Sequence, residues 1–220
     1  MGCVWRRAGA RLVQVVFGGT FDPVHSGHLA MLHAVVETFP NALVRVMPNG
    51  DPPHRRVNAS AQQRVEMLRL ALPEHPRVLL DTREVGADGP RYTVETLATM
   101  RAEYGPDEPL IFCLGRDAAA GLLSWGHPER VLEFAHLCIM HRAGHLELPR
   151  AVSALWAHQY VPEQQLCASP CGQVCELKTP DVPVSSTQVR ALVAAGQFPL
   201  PVPTAIADYI RDHRLYLDTE

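Results

Sequence analysis

No apolar run in this 220-residue chain approaches the ~18 residues that a helix needs to cross a bilayer. An excess of one charge is also missing. Lys and Arg number 20 against 23 Asp and Glu, a formal net charge of -3 with a pI near 6.4. That balance excludes the basic footprint of a general nucleic-acid binder. Internal repeats, low-complexity linkers and shifts in composition are absent, so one domain is the simplest reading. The six cysteines form no CxxC clamp. Cys113 and Cys138 sit inside the apolar runs "LIFCLG" and "HLCIMH" and read as core thiols. Cys167, Cys171 and Cys175 are spaced four apart around Pro170 and Gly172, which is not one helical face, and no metal site is expected there. The start, "MGCVWRRAGARL", is basic without a long apolar core and makes a poor signal peptide. Arg6 stands where the myristoylation pattern needs Ser or Thr. Residues 1–10 therefore read as a loosely ordered extension, the cysteines as reduced, and the protein as cytoplasmic.

What is present is an alternation of two periods. Strand-like runs occur at "RLVQVVF" (11–17), "ALVRVMP", "RVLLDTRE", "PLIFCLG", "HLCIMHR" and "QVCEL". Between them lie helical stripes: 28–39, "SAQQRVEMLRLAL" with Ser60 and Gln63 at capping-box spacing, and "TVETLATMRAEYG" stopped by Gly105 and Pro106. Short helical pieces are expected near 117–123, 128–134 and 148–158. "STQVRALVAAG" and "PTAIADYIRDH" close the chain as helices. Continuous apolar strands alternating with helices mean a parallel sheet covered on both faces. The expected fold is α/β: a single Rossmann-like, doubly wound domain over residues 11–220, with a mostly parallel sheet and a C-terminal helical segment. Its sites belong beyond the carboxyl ends of the strands, at the switch point of the sheet.

One stretch already lies there. "GGTFDPVHSGH", Gly18 to His28, follows the first strand. Gly18 and Gly19 let backbone approach a ligand closely. The helix after Gly27 offers unpaired N–H groups and the positive end of its dipole, an anion site. His25 and His28 are three apart and share a face if both enter the first turn. Read from these residues alone, the stretch is a phosphate site, a two-histidine metal site or a plain turn. "SSTQVR" offers a second cradle of hydroxyls and N–H groups, with Arg190 one turn in, or else a plain N-cap and a surface arginine. Asp117 after Gly115 is a ribose acceptor or an N-cap. Trp125 is a ring platform or core packing. His54 and Arg55 are substrate-loop cations or solvated charges.

The residues also carry a resemblance. "GTFDPVHSGH" resembles the nucleotidyltransferase signature GTFDPxHxGH, whose HxGH core is shared with class I aminoacyl-tRNA synthetases. Five further stretches resemble the family of bacterial nicotinate-mononucleotide adenylyltransferases: "PNGDPPHRR" (48–56), "DTREVGADGPRYTVETL" (81–97), "FCLGRDAAAGLLSW" (112–125), "VSSTQVR" (184–190) and "YIRDHRLY" (209–216). The match runs in order over roughly residues 12–216. Departures are Arg55 for the usual Lys, Arg116 and Ala118 where many members have Ala and Ser, and Gly126 where several carry an aromatic, which implies a more mobile loop.

The resemblance implies transfer of the adenylyl group of ATP to nicotinate mononucleotide, giving deamido-NAD and pyrophosphate in NAD biosynthesis. It implies His25, His28 and Arg190 as catalytic groups. Gly18, Gly19, Thr20, Phe21, Gly115, Asp117, Ser186 and Thr187 would hold ATP. His54, Arg55, Thr93 and Trp125 would hold the mononucleotide. The implied cofactor is Mg2+ carried with ATP as co-substrate, largely by water and ATP rather than by a protein metal cage. The expected partners are ATP and nicotinate mononucleotide, with neither nucleic acid nor membrane. The expected assembly is a monomer or small homo-oligomer. The rivals are a sibling transferase acting on another phosphate, a non-catalytic nucleotide sensor and a metal hydrolase.

Overall fold

Runs of Val, Ile and Leu that are apolar on both faces can be satisfied only inside a covered sheet. A computed structural model of the chain describes residues 12–50, 58–86, 92–141 and 147–217. The extension 1–10, His54 and Arg55 lie outside the described residues. In chain order the elements are β1 (Gln14–Gly19), α1 (Ser26–Thr38), β2 (Leu43–Pro48), α2 (Ala61–Ala71), β3 (Val78–Leu80), α3 (Thr93–Tyr104), β4 (Leu110–Gly115), α4 (Arg116–Ala120), α5 (Val131–Phe134), β5 (His136–His141), α6 (Arg150–Leu155), β6 (Val174–Lys178), α7 (Ser186–Ala194) and α8 (Thr204–Asp212). Short 3-10 turns cover Leu122–Ser124, Pro128–Arg130 and Glu163–Cys167.

The strands form one sheet in the order β3-β2-β1-β4-β5-β6, and every pairing is parallel. The chain winds outward through β2 and β3, returns, and winds the other way from β4. The switch point is therefore between β1 and β4, as the α/β rule requires. Leu32 and Val35 of α1, Met67 and Leu68 of α2, Val193 of α7, and Ile206 and Ile210 of α8 pack on one face against Val15, Phe17, Val44 and Ile111. Leu97 and Met100 of α3, Ala119 of α4, Val131 of α5 and Val152 of α6 cover the other face against Val16, Phe112, Leu114 and Ile139. No helix among the described residues is long and apolar enough to cross a membrane.

Most elements fall where the periodicity places them, and α2 keeps its Ser60–Gln63 capping box. Two differ. The first strand runs on through Gly18 and Gly19, which pair with Met47 and Pro48. The β3 strand stops at Leu80 rather than Glu84. Beyond it the Asp81 carboxylate accepts from the Arg83 N–H, and Thr82 O accepts from Val85 and Gly86, which curls the chain into a turn. Cys113, Cys138 and Cys175 stand side by side across β4, β5 and β6, all buried. Hydrogen bonding to Cys138 and burial push the Cys175 thiol up. All five described cysteines are free thiols.

Candidate active site

The loop between β1 and α1 is built by aromatic packing. A Cβ on Gly18 would meet the Phe112 ring at 2.7 Å, and one on Gly19 would meet the Phe21 ring at 2.9 Å. A side chain at either position would therefore collide with the protein's own rings. Gly115 differs: a Cβ there would make only an ordinary 3.5 Å contact with Met31. Phe21 is a buried, bulky residue with φ 53. That conformation costs about 1–2 kcal/mol and persists only where the surroundings hold it. The ring of Phe21 meets Phe17 edge-on at 5.5 Å and His28 at 5.0 Å. Asp22–Pro23 is a cis peptide.

His25 is the N-cap of α1 and His28 is its third residue. Each Nδ1 accepts from the other's backbone N–H, at 3.4 Å into His25 and 3.3 Å into His28. This reciprocal box needs a lone pair on both Nδ1 atoms. With both Nδ1 atoms accepting, the ring proton of each imidazole sits on Nε2. The rings stack 3.8 Å apart at 25°. Two imidazole donors thus share one face at a helix N-terminus, the arrangement expected from their spacing.

The late cradle docks on the same loop. Arg190 Nη1 donates to Asp22 O at 2.6 Å, and Nη2 donates to Thr187 Oγ1 at 3.3 Å. The Ser186 hydroxyl donates to Pro23 O at 3.0 Å. Ser185 caps α7 through Gln188 N. The structure thus joins residues 18–28 with 186–190, although more than 160 residues separate Asp22 from Arg190. Gly115 ends β4 beside β1, and Asp117 is exposed in the first turn of α4. Trp125 is half-buried, its ring 6.3 Å from Phe112 at 65°. Thr93 opens α3. All lie toward the carboxyl edge of β1 and β4.

This geometry accompanies a clear kinship. A cytidylyltransferase-like family model matches residues 16–192. A "Probable nicotinate-nucleotide adenylyltransferase" of Stenotrophomonas maltophilia is 41% identical, with 93% of this chain and 96% of that one covered. One of Cellvibrio japonicus is 40% identical over 91% and 97%. The chain belongs to the nicotinate-nucleotide adenylyltransferase family. Among solved structures, the Plasmodium falciparum nicotinic acid mononucleotide adenylyltransferase complexed with NaAD superposes with a TM-score of 0.72. It is 16% identical, covers 94% of this chain and 98% of its own, and shows the common fold.

Local contacts shape the surroundings of the site. Arg116 is ion-paired to Glu176 at 2.7 Å, and His141 lies 3.6 Å from the same oxygen. The space over Gly126 is filled: a Cβ there would meet the Tyr92 ring at 2.3 Å. The Tyr92 ring, just before α3, therefore packs directly over Gly126. The family's D-x-R-E stretch is structural here. Asp81 grips Arg83, Arg83 reaches Glu103, and Glu84 accepts from Thr96 at 2.7 Å, which ties the end of β3 to α3.

Sequence patterning did not single out Arg64, Asp22 or Tyr216. Arg64 is fully buried and donates to Thr20 O, Asn49 O and Gly50 O. The Asp22 carboxylate accepts from Asn58 N, Ala59 N and the Tyr216 hydroxyl. Signals existed for each: Asp22 lies inside "GTFDPVHSGH", Tyr216 ends "YIRDHRLY", and Arg64 is a cation in line with the apolar Met67 and Leu68 of α2. Among the described residues no group of three or more His, Cys, Asp or Glu could hold a metal ion.

Proposed function

We propose that the chain transfers the adenylyl group of ATP to nicotinate mononucleotide, giving deamido-NAD and pyrophosphate. The observation that carries this is the stacked His25–His28 pair at the N-terminus of α1, docked against α7, in a chain 41% identical to a relative of that name. A 5′-phosphate oxygen of the mononucleotide attacks the α-phosphorus of ATP in line. The bond from that phosphorus to the bridging oxygen breaks, and pyrophosphate leaves with the electron pair. The nucleophile is already an anion, so the reaction needs positioning and charge stabilisation rather than a strong base.

The roles follow from the donors. Nε2–H of His25 and His28 would meet phosphate oxygens as negative charge develops. The Phe21 N–H, on a loop whose carbonyls turn inward, adds a backbone donor beside Thr20. Ser186, Thr187 and Arg190 would hold the outgoing pyrophosphate at the N-terminus of α7. Gly115 leaves room for close approach, and Asp117 accepts from ribose hydroxyls. Trp125 would stack on the pyridine ring, with Thr93 beside it; the part of His54 and Arg55 in binding the mononucleotide rests on the resemblance of "PNGDPPHRR" alone. Mg2+ would arrive on ATP and neutralise phosphate charge. Asp22 is no ligand for it, because both carboxylate oxygens are committed to Asn58, Ala59 and Tyr216. Residues 11–220 act as one domain, since α7 and α8 pack on the same core as β1. The free thiols support a reducing, cytoplasmic setting.

The test mixes protein, ATP, Mg2+ and nicotinate mononucleotide and follows pyrophosphate. Release is expected. No release with this substrate, but release with phosphopantetheine, would move the chain to a sibling activity.

A further inference from the structure

We propose that Arg64 and Tyr216, both outside the loop they touch, are positioning residues that hold the β1–α1 loop in its phosphate-facing shape. The proposal rests on the adenylyl-transfer reading for its kinetic test and on the geometry for the rest.

Arg64 lies beneath two loops at once. Its Nη1 donates to Thr20 O and Asn49 O, both at 2.8 Å, and Nη2 donates to Gly50 O at 3.1 Å. Thr20 follows β1, and residues 49 and 50 follow β2. A trans peptide points its N–H opposite to its C=O. Carbonyls drawn down onto Arg64 therefore turn the N–H groups of Phe21 and Gly50 the other way. The same bond steadies the left-handed Phe21, whose ring packs against His28. A lysine keeps the charge but cannot span three carbonyls with a planar fork.

Tyr216 works from the other end of the chain. Its hydroxyl donates to Asp22 Oδ1 at 2.8 Å, 194 residues away. That carboxylate also accepts from Asn58 N at 2.8 Å and Ala59 N at 3.1 Å, just before α2. One carboxylate thus joins the C-terminal tail, the loop and the start of the helix that carries Arg64. Tyr216 is buried, with φ 62. A tail held in that conformation against a loop beside the histidines is coupled to the loop's shape.

Arg101 provides an internal control. It too clamps carbonyls, those of Phe134, Gly105, Glu108 and Pro170, at 2.6–3.0 Å. Those carbonyls lie at the amino ends of β4 and β5, across the sheet from the site. The chemistry is the same, but the end of the sheet differs.

The experiment compares R64K, R64M and Y216F with R101K. Each is assayed well below its own melting temperature for kcat and for KM with ATP, and MgATP affinity is titrated by calorimetry. R64K and R64M should raise the KM and Kd for ATP about tenfold or more, and Y216F several-fold. R101K should melt earlier yet keep the KM and Kd for ATP within about twofold. A merely structural role would lower the active fraction and leave KM unchanged. ATP parameters within twofold of wild type in R64K and Y216F overturn the proposal. So does an R101K that shifts them equally. If the Arg64 variants do not fold, Y216F decides, since it removes one oxygen. If wild type releases no pyrophosphate with nicotinate mononucleotide, the function reading fails, and the MgATP titrations still judge this one.

Discussion

At the scale of single residues, His25 combines two tasks that substitution can separate. Its Nδ1 caps α1 by accepting from His28 N, and its Nε2–H is the proposed phosphate donor. Asparagine is among the best N-caps but lacks that distal donor. H25N should therefore keep its stability to within about 0.5 kcal/mol. Its kcat/KM should fall on the order of 10²–10³-fold, as when one transition-state donor is removed. H25A should lose the same activity and about 1 kcal/mol of stability with it. Urea titration and pyrophosphate release measure the two separately. An H25N enzyme with wild-type turnover would remove His25 from catalysis. The histidines were legible because their roles are local, fixed by three residues of spacing and a helix start. Arg64 and Tyr216 were not, because their partners lie 44 and 194 residues away; the pattern shows Arg64 only as a cation in line with the apolar side of α2 and records neither residue's partner. Arg190 stood between these cases. Its helix was visible, but its hold on Asp22 O exists only in the folded chain.

At the scale of elements, the end of β1 decides the shape of the loop. Gly18 is in the ladder opposite Met47, and the Phe112 ring of the neighbouring strand lies over it. Phe112 also meets Trp125, so one ring links the phosphate loop to the proposed base platform. G18A places a methyl 2.7 Å from that ring, inside its contact distance. Overpacking of this kind costs about 1–3 kcal/mol. F112L alone should also destabilise, through lost area. The double variant G18A/F112L should cost less than the sum by about 1 kcal/mol, because the smaller side chain removes the clash. Strict additivity in urea unfolding would show that the ring and Gly18 do not interact. The periodicity had placed the strands and the principal helices, since buried parallel strands read as continuous apolar runs. It misplaced two strand ends for opposite reasons. Gly18 and Gly19 look like a turn but pair as strand, because neighbouring rings supply the bulk they lack. "DTRE" follows a β-like run but leaves the sheet, because Asp81 and Thr82 satisfy the backbone locally.

At the scale of the whole molecule, the two edges of the sheet are built differently. The carboxyl edge holds the loops and the donors. The amino edge is closed by carbonyl clamps, with Arg101 and His136 at its centre. His136 begins β5 and is fully buried. Its Nδ1 accepts from Gln173 N at 3.2 Å, and its other ring nitrogen bonds Ser169 O at 2.8 Å. The neutral ring, protonated on Nε2, satisfies both partners. A second proton on Nδ1 would break the first bond and place a buried charge beside Arg101. Burial above all, with the Arg101 charge adding, holds this imidazole below its ordinary pKa of 6.5, against the opposing Ser169 bond. The unfolded chain therefore binds the proton more readily than the native one. Stability from His136 is complete above about pH 6.5 and is lost progressively as pH falls toward the depressed native value. The slope for one group is at most about 1.4 kcal/mol per pH unit. H136Q should be less stable at pH 8, by about 1–3 kcal/mol, if either Gln173 N–H or Ser169 O is left unpaired. Its urea midpoint should then fall less steeply than wild type between pH 6.5 and 5, because the titrating group is gone while the other histidines remain. Because the clamp is at the far edge from the histidine pair, KM for ATP at pH 8 should match wild type. Parallel wild-type and H136Q curves below pH 6.5 would show that the acid sensitivity of the fold resides elsewhere.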